Sequence, residues 1–425
     1  MNQFLCLISS AEFIARLKKF SPVGIVETLP LETLAGRVLA EDIDAPENMP
    51  PFHRSCMDGY AVRAKDTFGV SETEPFPFTV QGEVTMGSDA LLEKIAPGAV
   101  ARIWTGGELP PDADAVVMEE YTRVVDAGSI EVFRPVAPYE NVVLRGEDIH
   151  QGQCLFQAGK RLNAYDTGIL AGLGLTGIPV RKKPRVAIIS SGDEIVPKET
   201  HDLPRGKIRD INTTTLSNML RMFQCEPLIM GIVPDRFESI RDLCVASLQQ
   251  SADMIVVSGG SSIGMRDLTL KVFSSLEGAE ILAHGVEIRP GKPTILGRIG
   301  AVPLVGLPGH ITSALVVFQV FIRVLLGVLS GVRTPEDDFL RRCHAVMSRN
   351  IPSVTGREDY VRVKLTPPTN DASADDATGR LPVASPVFGK SGTIQSLIQS
   401  DGLVQIGRDV EGLYAGQIME VMSLA

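Results

Sequence analysis

Residues 254–267 read MIVVSGGSSIGMRD, an apolar run that ends in Gly259, Gly260, Ser261, Ser262 and Gly264. Glycine lets backbone come close to an anion, and serine hydroxyls donate hydrogen bonds to one. Three other loops carry related chemistry: SSGDE at 190–194, RPGKP at 289–293 with its compact Lys292 charge, and GLPGHITS at 306–313. A lone glycine–serine run reads more readily as a plain turn. Several at one sheet edge read as a phosphate or oxyanion cradle, because the loops leaving such an edge present unpaired amides.

Carboxylates crowd the same segments: Asp193, Glu194, Asp235 and Asp267. Taken singly, each reads more readily as a helix cap. Beside a phosphate cradle they suit Mg²⁺, a hard cation that takes carboxylate and phosphate oxygens together. A second set lies upstream in SCMDGYAVR, TGGELP and RGEDI, with Asp58, Thr105, Glu147 and Asp148; on their own these read as β-turns with polar ends. The sequence shows no Ser-His-Asp, Cys-His or HExxH arrangement and has only six histidines, which makes a zinc enzyme unattractive. His53 and His310 are expected to be structural or hydrogen-bonding residues.

The elements that must carry these groups follow from periodicity. SAEFIARLKKF predicts an amphipathic opening helix, with Ser9 and Glu12 spaced as a capping box. Short β-rich runs broken by Pro, Gly and Asp fill 48–145, and AYDTGILAGLGL returns to helix before a basic RKKP junction. From 186 the chain alternates: strand 186–190, helix 213–223, strand 228–233, helix 237–250, strand 254–258, then strands at 294–297 and 302–306. That alternation predicts a parallel, helix-covered sheet. YVRVKL, LVQI and IMEVM predict a small terminal β domain, with the polar stretch 367–380 as a mobile loop. The expected organisation is an extended helical linker domain (1–47 and 146–182), a β-rich lid-like module (48–145), a central α/β domain (183–333) and a C-terminal barrel-like β domain (337–425). No fixed-period repeat is visible.

With 425 residues the chain exceeds what one hydrophobic core serves. A net charge of −10 excludes bulk, sequence-independent binding to nucleic acid or anionic lipid. The six cysteines form no CxxC pair and are expected to be reduced and mostly buried. No basic residue precedes the apolar patch at 4–8, so no signal peptide is read and a cytoplasmic location is expected. The segment 311–331 has the length of a membrane span but carries Gln319 and Arg323 near its middle. An arginine at bilayer centre costs at least about 2.5 kcal/mol, which favours a buried helix.

Read in order, LPLETLAGRVLAEDI, SCMDGYAV, IWTGGELPPDADAVVMEE, RGEDI, ISSGDEIV, IRDIN, VSGGSSIG, RPGKP, VGLPGHITSA, GREDYVRV and SGTIQSLIQSDGLV make the chain resemble the molybdenum insertase family, which includes bacterial MoeA and the related domain of gephyrin. The resemblance implies an elongated four-domain homodimer, with an α/β domain that holds molybdopterin and a β-rich module that closes on the partner's active site. It implies transfer of molybdate, or tungstate, to adenylylated molybdopterin with Mg²⁺ and release of AMP. A molybdopterin adenylyltransferase and apo-molybdoenzymes are the implied protein partners. By motif position the catalytic candidates are Asp58, Thr105, Asp148, Glu194, Asp235 and Asp267, with Glu194, Asp235 and Asp267 as metal ligands. The ligand-binding candidates are Gly259, Gly260, Ser261, Ser262, Gly264, Lys292, Pro293, Ser313, Arg357 and Ser391.

Three motifs depart from the family pattern. Met265 stands where an aspartate is usual, and a thioether does not replace an oxygen ligand of Mg²⁺. His310 and Ile311 replace the Asn-Pro of LPGNP, and Arg289 replaces a lysine, keeping the charge but not its geometry. These departures motivate an alternative, a non-catalytic carrier or scaffold for the finished cofactor. A stand-alone adenylyltransferase is disfavoured by the additional domains.

Overall fold

The computed structural model describes residues 7–87, 94–259, 263–368, 381–389 and 392–424, without the side chains of 263–267. Gly260, Ser261, Ser262 and Ser391, the side chains of Met265 and Asp267, and most of the 367–380 stretch therefore lie outside the described residues. The chain divides into two compact units, Met1–Glu41 with Ala158–Ala164 and Gly177–Ala425, and Asp42–Gln157 with Tyr165–Thr176.

The smaller unit is built on a mixed six-stranded sheet in the order Ala115–Met118, Gly59–Val62, Ala99–Ile103, Phe76–Val84, Ser129–Val132 and Thr122–Asp126. Tyr60, Val62, Phe78, Val100, Val117, Ile130 and Val132 form its core. Gly59 is required by close approach, since a Cβ there would lie 2.0 Å from the Val117 carbonyl oxygen.

In the larger unit a six-stranded sheet is assembled from β1 (Arg185–Ser191), β2 (Glu226–Val233), β3 (Met254–Gly259), β4 (Ala279–His284), β5 (Ile295–Ile299) and β6 (Val302–Pro308), ordered β2-β1-β3-β6-β5-β4. Its first four strands are parallel, while β5 runs antiparallel to both neighbours. The all-parallel expectation is corrected at β5 and β6, where two residues join the strands. Parallel neighbours need a long crossover, and so short a link forces a hairpin.

Helices α1 (Asn212–Met222), α2 (Phe237–Gln249), α3 (Ile263–Ser275) and α4 (Ile311–Ser330) cover both faces. Alternation along β1 divides the core: Val186 and Ile188 pack with Leu216 and Leu220 of α1 and with α4, while Ala187 and Ile189 pack with Ile240 of α2 and Phe273 of α3. The opening helix Ser10–Leu17 is capped as its sequence predicts, Ser9 Oγ accepting from the Glu12 amide at 3.1 Å. Phe13 of that helix packs on Phe321 of α4, ring centroids 4.5 Å apart.

α4 has the length and hydropathy of a membrane span but is buried inside the protein. Its Arg323 donates to the carbonyls of Glu336 and Asp338 at 2.7 and 2.8 Å, which accounts for a charge in so apolar a segment. After α4, β7 (Arg342–Met347), β8 (Glu358–Thr366), β9 (Val383–Pro386), β10 (Gly402–Ile406) and β11 (Ile418–Ser423) close into a five-stranded barrel, β8-β9-β7-β11-β10-β8. The short strand Ile288–Arg289 pairs in parallel with the start of β8. Of the described cysteines, Cys225 and Cys244 are buried, Cys343 is half-buried, and Cys56 and Cys154 are exposed, fewer buried thiols than composition suggests.

Candidate functional site

The carboxyl ends of the parallel strands form one row. Ser191 is level with Val233 on one side and Gly259 on the other, and Gly259 is level with Pro308. The order β2-β1-β3 places the topological switch point between β1 and β3, where open α/β sheets bind ligands. The loops at 190–194 and 306–313 and the segment carrying Asp235 leave from this row, as does the chain after Gly259. Beyond two of them start α3, with Gly264 in its first turn, and the 20-residue α4. Their unpaired amides and positive dipole ends suit an anion.

Four residues here are tied together. Ser191 Oγ donates to Asp235 Oδ1, the Asp235 amide donates to Asp193 Oδ1 at 3.3 Å, and Lys207 Nζ donates to the Asp193 carbonyl at 2.5 Å. Glu194 is half-buried beside them in sequence, its carbonyl accepting from the Ile208 amide at 2.9 Å. Among the described residues no three Asp, Glu, His or Cys side chains gather tightly enough to cage an ion.

Two further residues matter that sequence reasoning left inside the IRDIN motif without a role. Asp210 caps α1, accepting from the Thr213 amide and hydroxyl at 3.1 and 2.6 Å. Asn212, 7% exposed, donates from Nδ2 to Ser258 Oγ and to the Gly309 carbonyl, both at 2.8 Å. It staples the end of β3 to the loop before α4, and its Oδ1 is buried without a partner. An asparagine among polar residues gave no signal for this; only the fold brings Gly309 to it.

Where the sheet meets the barrel strand β8, two cavities lie on either side of the RPGKP loop. The larger, about 740 Å³, is lined by Gly259, Ser313, Asp359 and Arg362 among others, the smaller, about 450 Å³, by Lys292, Arg357 and Glu287. Arg289, Pro290 and Pro293 line both. The structure thus brings Lys292, Pro293 and Arg357 together and puts Ser313 and Gly259 across the loop from Lys292 and Arg357. Gly291 turns that loop with φ of 118°, and a Cβ would meet Ile288 and Val317 at 2.7 Å. Asp359, which the sequence reading did not single out, is 5% exposed and accepts from Arg357 Nε at 2.9 Å and Ser353 Oγ at 3.0 Å, with Arg289 Nη1 at 3.8 Å.

In the smaller unit, Gly59 pairs with Ile103, so Asp58 before one strand and Thr105 after the next emerge side by side. Asp58 Oδ1 accepts from the Thr105 amide at 2.8 Å and its hydroxyl at 2.7 Å. Those two donors, helped by the Arg102 charge, hold the exposed Asp58 carboxyl below the usual carboxylate range. It is an anion at neutral pH. Asp148 is exposed on the turn after Leu144, and the adjacent Arg145 amide donates to His53 Nδ1 at 3.0 Å, which makes His53 a hydrogen-bonding residue as expected. Glu147 Oε2 accepts from the Leu144 amide and so only caps that turn.

Family models match almost end to end: the MoeA N-terminal region, domains I and II, at 8–174; the model described as "Probable molybdopterin binding domain" at 187–327; and the MoeA C-terminal region, domain IV, at 344–424. A Methanocaldococcus jannaschii protein named for molybdopterin biosynthesis is 34% identical over 97% of this chain and 94% of its own length. The molybdopterin molybdenumtransferase 2 of Mycobacterium tuberculosis is 32% identical over 93% and 95%. The crystal structure of a molybdopterin biosynthesis MoeA protein from Pyrococcus horikoshii superposes with a TM-score of 0.81 at 35% identity, covering 99% of each chain. With that likeness running through both units and the barrel, the chain belongs to the MoeA family.

Proposed function

We propose that this protein is a molybdopterin molybdenumtransferase of molybdenum cofactor biosynthesis, which inserts molybdate into adenylylated molybdopterin and releases AMP. The single observation that carries the reading is the row of strand ends at the switch point, with its glycine–serine loops and helix starts, in a chain matched by MoeA relatives over nearly its full length. Amides of those loops bind the pterin phosphate. Lys292 and Arg357, side by side at the RPGKP loop, hold the dianionic metalate, each charge-assisted bond contributing about 1.5–3 kcal/mol.

Mg²⁺ suits the oxygen donors on this edge, the Ser191 hydroxyl and the Asp193, Glu194 and Asp235 carboxylates. Mg²⁺ keeps waters and substrate phosphate oxygens in its shell, so the protein supplies only part of it. Glu194 and Asp235, with Asp267, are its proposed ligands. Held there, Mg²⁺ would supply positive charge against the pyrophosphate oxygens.

We further infer a cytoplasmic homodimer in which Asp58, Thr105 and Asp148 serve the partner's site. The exposed Asp58–Thr105 pair, which carries a firmly ionised carboxylate, supports this. Purified protein given adenylylated molybdopterin, molybdate and Mg²⁺ is expected to release AMP; none with either molybdate or tungstate overturns the reading. Mixing Asp58→Ala and Glu194→Ala protein is expected to restore activity, because a two-fold dimer then contains some intact sites, about a quarter of the total. Failure of both mixed and separate samples removes the shared-site arrangement alone.

A further inference from the structure

We infer that Asp359 is a positioning residue for the oxyanion site: it fixes Arg357 so that the remaining guanidinium edge faces the metalate. The inference rests on the reading of Lys292 and Arg357 as metalate ligands. Asp359 lies on β8, level with Arg289 of the short parallel strand, and its carboxylate is buried where the two cavities approach each other. A buried carboxylate is costly unless its lone pairs are used. Here Oδ1 takes Arg357 Nε, and Oδ2 takes Ser353 Oγ with Arg289 Nη1 nearby. Bonding through Nε leaves both Nη groups of Arg357 for a ligand. The Arg357 side chain, 35% exposed, would otherwise choose among many rotamers over open solvent.

Two effects oppose each other when the carboxylate is removed, and their signs differ. Loss of a negative charge next to an anion site strengthens anion binding through the field. Loss of the orienting partner weakens it. For partners that orient metal ligands the loss is roughly 10–100-fold, and a solvent-screened charge at cavity distance does not offset that. Asp359→Ala is therefore expected to bind molybdate more weakly by about tenfold or more, and Asp359→Asn, which keeps one acceptor, by less.

The test is calorimetric titration of the full-length protein with molybdate alone, for Asp359→Ala, Asp359→Asn, Arg357→Ala and the double Arg357→Ala/Asp359→Ala variant. Thermal melting confirms that each is folded, and Asp359→Asn serves if Asp359→Ala is not. Support is a weakened single variant with no additional loss in the Arg357→Ala background, accompanied by a raised KM for molybdate at unchanged KM for adenylylated molybdopterin. Unchanged or tighter binding in both Asp359 variants, with Arg357→Ala impaired, overturns the positioning role and leaves the ligand assignment standing. Additive losses in the double variant also overturn it, since Asp359 then acts independently of Arg357. Normal binding by Arg357→Ala overturns the ligand assignment itself.

Discussion

Replacing Asn212 by alanine tests whether the cradle depends on the staple beneath it. The substitution removes two buried donors at 2.8 Å, one to Ser258 Oγ and one to the Gly309 carbonyl. Neutral hydrogen bonds are each worth about 0.5–1.5 kcal/mol, and leaving a buried carbonyl unpaired costs about 1–3 kcal/mol. The variant also loses an Oδ1 that is buried and unpaired, which returns part of the cost. The net is a loss of about 2 kcal/mol, or about 3 °C in melting temperature for a unit of this size. Activity should fall further than stability accounts for, about tenfold or more in kcat/KM, because releasing two cradle loops displaces every donor they carry. Asn212→Asp should be worse still for AMP release, since it swaps the donor for a negative charge at an anion site. Thermal melting and AMP release, measured together on both variants, decide the matter. Full activity in a destabilised Asn212→Ala, or an Asn212→Asp that outperforms it, would refute the reasoning.

Lys292→Ala should keep the fold and weaken molybdate binding by about tenfold, the value of one charge-assisted bond; an unchanged titration contradicts its role. Gly59→Ala pushes a methyl to 2.0 Å from the Val117 oxygen and should destabilise the smaller unit by about 3 kcal/mol or more, read as an earlier unfolding step; an unshifted melt refutes the clash. Burial pushes the Cys225 and Cys244 thiols up to about 12 from an ordinary 9.0. Their neutral forms are favoured by folding, so the contribution is complete below pH 9 and is lost as pH climbs towards 12, by up to about 1.4 kcal/mol per pH unit per thiol. Iodoacetamide at pH 8 should label Cys56 and Cys154 in the native protein and spare the two buried thiols; rapid labelling of either one contradicts this.

Much of the larger unit is legible because buried strands and amphipathic helices write different periods. The Ser9–Glu12 cap and the strand–helix alternation from 185 to 259 appear within a few residues of their expected places. β4 escapes notice because its apolar run, Ile281 to Ala283, is only three residues long. The direction of β5 follows from its short link to β6, a fact of loop length that apolar periodicity does not register. At the site, glycine and serine runs announce themselves. Asn212 and Asp359 do not, since each acquires its role from partners or burial that only folding supplies, such as Gly309, 97 positions from Asn212.

The 20-residue α4 has a further consequence for handling the protein. Its mean hydropathy of 2.2 is hidden only while the sheet and the opening helix stay packed on it. Once melted, each molecule presents a sticky, lipid-like ribbon to its neighbours, and coagulation will outrun recovery on cooling. Shelf life is then governed by the height of the unfolding barrier, and half-lives at a fixed temperature are the proper measure of durability.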